Sequence, residues 1–187
     1  FILDSLNKKI FSTANVPYKI KNDEEILKDP KNTIDFDHAL HQKIMNDIKK
    51  IGTDAKLVLN QDQVVHVSMI EKLLVLQLSK LSNFVPDGGI WLNTQRPEWN
   101  DANNALVGYG VSMVTLYYLN RHILFINKVL ASVNETEFKI SNEVLAWFRD
   151  TKETYKKYLP TINKKLDPVK RKTFVQGLQK LFSNYRQ

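Results

Sequence analysis

Between Gly88 and Leu106 the helical hydrophobic pattern that fills much of this 187-residue chain stops. On one side, Ile70, Leu73, Leu74, Leu76, Leu78 and Leu81 predict an apolar helix from Ser68 to about Phe84. On the other, Met113, Leu116, Tyr117, Leu119, Leu124 and Ile126 predict a second from Val111 to about Ala131. Both are apolar around much of their circumference, the pattern of helices covered on more than one side. By the same reasoning Tyr117 and Tyr118 belong in the core. A chain with two such helices must fold around them, as a mainly α protein of antiparallel helical hairpins.

The interruption is chemically dense. It opens on the turn cluster Val85-Pro86-Asp87-Gly88-Gly89. It then holds two carboxylates (Glu98, Asp101), one guanidinium (Arg96), four amides from Asn93 to Asn103, and the indoles Trp91 and Trp99. A mere connection would be shorter and less aromatic. These ingredients suit sugar chemistry: carboxylates move protons, indole faces cover pyranose rings, and amides and Arg hold hydroxyls. The candidate binding residues are Trp91, Gln95, Arg96, Glu98, Trp99 and Asn100.

Trp99-Asn100-Asp101-Ala102-Asn103-Asn104, followed by Val107-Gly108 and Ser112, resembles the W-N-D-G-M-N…V-G…S segment of cellobiose and chitobiose phosphorylases. Those enzymes belong to the (α/α)6-toroid, or six-hairpin, glycosidase superfamily. Ala102 stands where the phosphorylases have Gly, and the Arg96-Pro97-Glu98 lead-in is closer to bacterial members of the wider superfamily. The resemblance implies a carbohydrate-active enzyme with Asp101 as general acid and Trp99 lining a sugar subsite. No phosphate-binding segment is matched, so hydrolysis leads over phosphorolysis. A complete toroid has twelve helices and needs more chain than this. The resemblance therefore implies part of a larger catalytic domain, with an oligosaccharide substrate and the remainder of the parent chain as partners.

An inverting hydrolase needs a second carboxylate roughly 6.5–9.5 Å from the acid. Glu98 precedes Asp101 by three residues. On a helical turn the two would sit too close for that role. The base is expected from elsewhere, and Glu98 is read as a hydroxyl-binding or Arg96-pairing residue. The alternative is a noncatalytic helical module that binds a glycan or a protein.

The remaining chain is read from spacing and punctuation. Ile2, Leu3, Leu6, Ile10 and Phe11 predict a short helix over 1–13, and Asp35 to Ile51 a longer one stopped by Gly52. Lys56–Leu59 and Gln63–Val67 flank a polar turn and predict a small β-hairpin near 56–67. Ser68 and Glu71 match a reciprocal capping box. Ser112 is placed to cap the helix after the loop. A helix from Ser141 should end at Pro160, and Asp167-Pro168 should start the last one.

The net charge is +7, with the lysines scattered over helix surfaces, so no nucleic-acid partner is expected. There is no cysteine and no apolar run of membrane-spanning length. His38 and His41 lie one turn apart without a third ligand or an H-E-x-x-H pattern, so no metal site is assigned and no cofactor is expected.

Overall fold

The structure, a computed structural model, describes residues 2–94, 101–162, 164 and 166–186. The order is α1 (Ile2–Ser5), β1 (Lys9–Ser12), β2 (Tyr18–Ile20), α2 (Asp23–Lys28), β3 (Ile34–Phe36), α3 (His38–Ile51), β4 (Leu59–Asn60), β5 (Gln63–Val64), β6 (His66–Ser68) and α4 (Met69–Leu81). Then come β7 (Phe84–Val85), β8 (Gly89–Trp91), α5 (Asp101–Leu106), β9 (Val111–Ser112), α6 (Met113–Ala131), α7 (Asn142–Ile162) and α8 (Pro168–Tyr185). A short 3-10 turn, Gly52–Lys56, follows α3. The chain is mostly helical, with small antiparallel sheets.

The local signals that end helices work as expected. Gly52 closes α3 at φ 78°, in the left-handed region where a side chain is disfavoured. Ser112 accepts from Thr115 N and caps α6. Asp167 accepts from Lys170 N at 3.0 Å, with Pro168 opening α8.

Other expectations are corrected. The helix over 1–13 stops at Ser5, and Lys9–Ser12 instead forms β1, antiparallel to β6. The helix expected from Asp35 begins at His38, because Asp37 caps it by accepting from Leu40 N while Ile34–Phe36 pairs with β2. The expected hairpin is present as β4–β5, but it is one of several small sheets rather than an isolated decoration. Helix α7 runs past Pro160 to Ile162. Proline removes one backbone donor, and here the helix ends within the same turn. Ser68 caps α4 through Glu71 N at 3.3 Å. The Glu71 side chain does not reach back; it bonds Ser141 at the start of α7.

Helices α7 and α8 form an antiparallel hairpin. Trp147, early in α7, stacks on Phe182 and Tyr185 at the end of α8. Tyr155 and Tyr158, late in α7, meet Phe174 near the start of α8 edge-on. Leu78 and Val144 complete the core around Trp147 and Phe182, so α4 packs across the hairpin. Burying such large side chains is the main drive for this assembly, at about 25 cal/mol per Å² of apolar surface removed from water.

The hairpin also fixes where α4 ends. Tyr155 Oη donates to Leu81 O at 3.0 Å, and Gln179 Nε2 donates to Ser82 O at 2.7 Å and to Asn83 Oδ1 at 2.8 Å. The backbone carbonyls of Leu81 and Ser82 lie at the C-terminal end of α4, where no next turn supplies a donor. Burial pushes the Tyr155 hydroxyl well above its ordinary pKa, so it stays a donor. Two helices thereby hold the point from which the central loop departs.

Candidate functional site

From that anchored end the chain enters β7, turns through Pro86 and Asp87, and returns as β8. Asp87 Oδ2 pairs with Arg171 Nη2 at 2.8 Å, which ties the turn to α8. Strand β8 lies between β7 and β9: Phe84 pairs with Ile90, and Ile90 with Ser112. The two β-ended arms of the loop, residues leading in from β8 and out to β9, are therefore neighbours in one sheet.

The base of the loop is drawn together by four hydrogen bonds. Trp91 N donates to Asn83 O at 2.7 Å. Leu92 N donates to Gly110 O at 3.0 Å. Gly108 N donates to Leu92 O at 2.6 Å. The Trp91 indole closes the set, Nε1 donating to Gly108 O at 3.1 Å. Residues 91–92 and 108–110 are thus held side by side as a hydrogen-bonded stem.

Gly108 is required there twice over. Its φ is 77°, and a Cβ would lie 2.4 Å from the Cβ of Pro30. Pro30 belongs to the segment after α2, and the next residue also reaches the loop: Lys31 Nζ donates to Asn104 O at 3.1 Å, in α5. Neither residue was legible as part of the site. They carry no chemistry of their own, and nothing in local spacing links residue 30 to residue 108.

Trp91 is half-buried in β8. It lines a cleft of about 300 Å³ whose other apolar walls are Leu27, Val85, Pro168 and Val175; Asp23, Arg171, Lys172 and Gln176 supply its polar lining. An apolar cleft with a few polar groups at its edge is the general form of a small-molecule site. Trp91, a binding residue expected from the sequence, lines this cleft. Its indole N–H is already engaged by Gly108, so only its carbon surface is available to a ligand.

Gln95, Arg96, Glu98, Trp99 and Asn100 lie outside the described residues. Asp101 is described by its backbone alone, as the first residue of α5. Asn93, just before that stretch, is buried. The His38 and His41 rings pack about Phe36, with centroids 4.8 and 5.5 Å away. Among the described residues, no group of three or more His, Cys, Asp or Glu side chains is placed to share a metal ion. No helix among them is long and apolar enough to cross a membrane. No protein-family model matches the chain, and no curated protein matches it.

Proposed function

We propose that this chain carries the acid-bearing loop of a carbohydrate-processing enzyme of the (α/α)6-toroid kind, and that Asp101 is its general acid. The observation that carries the reading is the Trp99-Asn100-Asp101 triplet in a loop whose stem, Trp91 and Leu92 to Gly108 and Gly110, is closed by hydrogen bonds. Catalytic groups on loops need such a stem, because small displacements of a proton donor cost rate steeply.

In this reading Asp101 donates its proton to the glycosidic oxygen as the bond to the anomeric carbon breaks. A water activated by a second carboxylate attacks the opposite face and inverts the centre. Asp101 opens α5, and a helix N-terminus favours the ionised form. A protonated acid near neutral pH therefore needs apolar cover or a nearby negative charge, which Trp99 and Glu98 are placed in sequence to supply. The base is expected from elsewhere in the parent chain. The isolated chain is accordingly expected to bind sugars without turning them over.

The test is Asp101→Asn in the full parent enzyme, assayed on cellobiose and chitobiose with water or phosphate as acceptor. General acid catalysis contributes typically about 10²–10⁴-fold, and a loss of that order in turnover is expected, with binding kept. Activated aryl glycosides, which need little protonation, should lose much less. Turnover within a few-fold of the unmodified enzyme, with the fold intact, would make Asp101 a loop-capping residue instead.

A second reading is a noncatalytic helical module that holds a sugar or a protein. The cleft beside Trp91 favours it, since that cleft needs no second carboxylate. Saturable sugar binding by the parent enzyme with no turnover on any glycoside would select this reading.

A further inference from the structure

Helix α6 has two apolar faces, and the fold uses one. Leu119, Ile126 and Val129 are buried. Val114, Tyr117, Tyr118, Leu124 and Phe125 are between 46% and 65% exposed. At 100° per residue these five fall on one stripe roughly 120° wide, beside the buried arc. Tyr117 and Tyr118 recur seven residues later as Leu124 and Phe125, so the stripe has the heptad repeat of a helix seam. Five large apolar side chains exposed along one face of a helix mark an interaction site in a folded protein.

The stripe also has a charge pattern. Arg121 and Lys128 follow Val114 at the same seven-residue interval, in the middle of the apolar band. Helix α6 contains no Asp or Glu. Among the described residues neither cation makes an ion pair; Arg121 stacks its guanidinium 5.4 Å from the Tyr118 ring centre. A second copy of the chain is a poor occupant. Paired in parallel it would set Arg121 against Arg121 and Lys128 against Lys128, and an antiparallel pair centred on Arg121 repeats the first clash. The complementary occupant is apolar at heptad spacing and negative opposite the two cations.

We infer that the outer stripe of α6 is a docking surface for an acidic amphipathic helix of a partner polypeptide. Its apolar residues lie against Val114, Tyr117, Tyr118, Leu124 and Phe125, and its carboxylates meet Arg121 and Lys128. The inference stands on α6 alone and does not depend on the role of Asp101.

The experiment is a fluorescence-anisotropy titration of the 187-residue chain with two synthetic helical peptides of about three heptads. Both carry Leu along one face; within that face, at two positions seven residues apart, one has Glu and the other Lys. The expected result is saturable binding of the Glu peptide, at least about tenfold tighter than the Lys peptide. The exposed double variant Arg121→Glu/Lys128→Glu should reverse that preference while keeping its helical circular dichroism. Tyr118→Asp should weaken both peptides. Equal binding of the two peptides, binding of neither, or a preference unmoved by charge reversal would overturn the inference. So would dimerisation of the unmodified chain abolished by Tyr118→Asp, which assigns the stripe to a second copy. Sedimentation with phosphatidylserine vesicles that Tyr118→Asp abolishes, with no peptide bound, would assign it to a membrane surface.

Discussion

Glu71 receives both hydrogen bonds that Ser141 can donate: Ser141 N to Oε2 at 3.0 Å and Ser141 Oγ to Oε1 at 2.8 Å. The residues are seventy positions apart, and Glu71 is only 7% exposed. Ser141 in turn accepts from Val144 N in the first turn of α7. A carboxylate in the first turn of α4 thus sits at the N-terminus of α7, where the helix dipole favours negative charge. Nearby, Ser68 donates to Lys139 O at 2.8 Å while capping α4. The starts of the two helices are one cross-braced unit.

Replacing Glu71 by Ala should therefore cost more than a surface carboxylate would. It leaves the Ser141 donors unpaired in a part-buried setting, a penalty of about 1–3 kcal/mol. Glu71→Gln keeps one acceptor and should cost less. Urea denaturation with an unchanged m-value checks the size. An Ala variant as stable as the parent would mean that water replaces the carboxylate freely.

Trp91→Phe tests the stem of the central loop. It keeps most of the apolar surface but removes the donor to Gly108 O. A buried carbonyl left unpaired costs about 1–3 kcal/mol. The local signature is faster amide exchange at Gly108, whose N–H bonds Leu92 O. Unchanged protection there would show that the backbone bonds alone hold the stem.

Two glycine substitutions should have opposite signs. Gly108→Ala meets Pro30 and a left-handed φ, and should destabilise by at least about 1–2 kcal/mol. Gly177→Ala, within α8 with nothing near its would-be Cβ, should stabilise by roughly 0.5–1 kcal/mol. Thermal melts of the two variants side by side give the contrast directly.

Asp167 predicts a pH dependence. The Lys170 backbone N–H holds its carboxyl below the ordinary value of 3.8, helped by the Lys170 ammonium at 3.6 Å. Between the depressed folded value and 3.8 the unfolded chain binds more protons, so stability falls as pH falls. Above that window the contribution is fully present. Asp167→Asn should keep the cap geometry while flattening this part of the stability profile below about pH 4. Melting curves from pH 6 to pH 2 (orders of acidity that bracket the window, roughly) compare the slopes; equal slopes would remove Asp167 from the acid response.

Much of the helical framework was readable from local signals. The apolar spacing of α4, α6 and α8 sets their extent. Ser112, Asp167 and Gly52 act on amides or carbonyls within a turn of themselves, so their roles can be read without knowing the rest of the fold. The turn before β8 and the presence of Trp91 in the central stretch were legible for the same reason.

What tertiary structure decided has a common cause: its partners are distant in sequence. Ile10 and Phe11 fit a helix or a strand, and β6, more than fifty residues on, made them a strand. Glu71 could reach back to its own helix, but Ser141 offered two donors instead of one. The periodicity of α6 marks its apolar residues without saying which arc is covered, so Tyr117 and Tyr118, expected in the core, stand exposed. At the loop, local sequence supplied the residues, while Pro30 met Gly108, and Lys31 met Asn104 across 73 positions. Helix start and stop are short-range competitions among neighbouring amides and are written in the sequence; which face is buried, and which donor meets which acceptor, depends on chain segments that only the folded packing brings together.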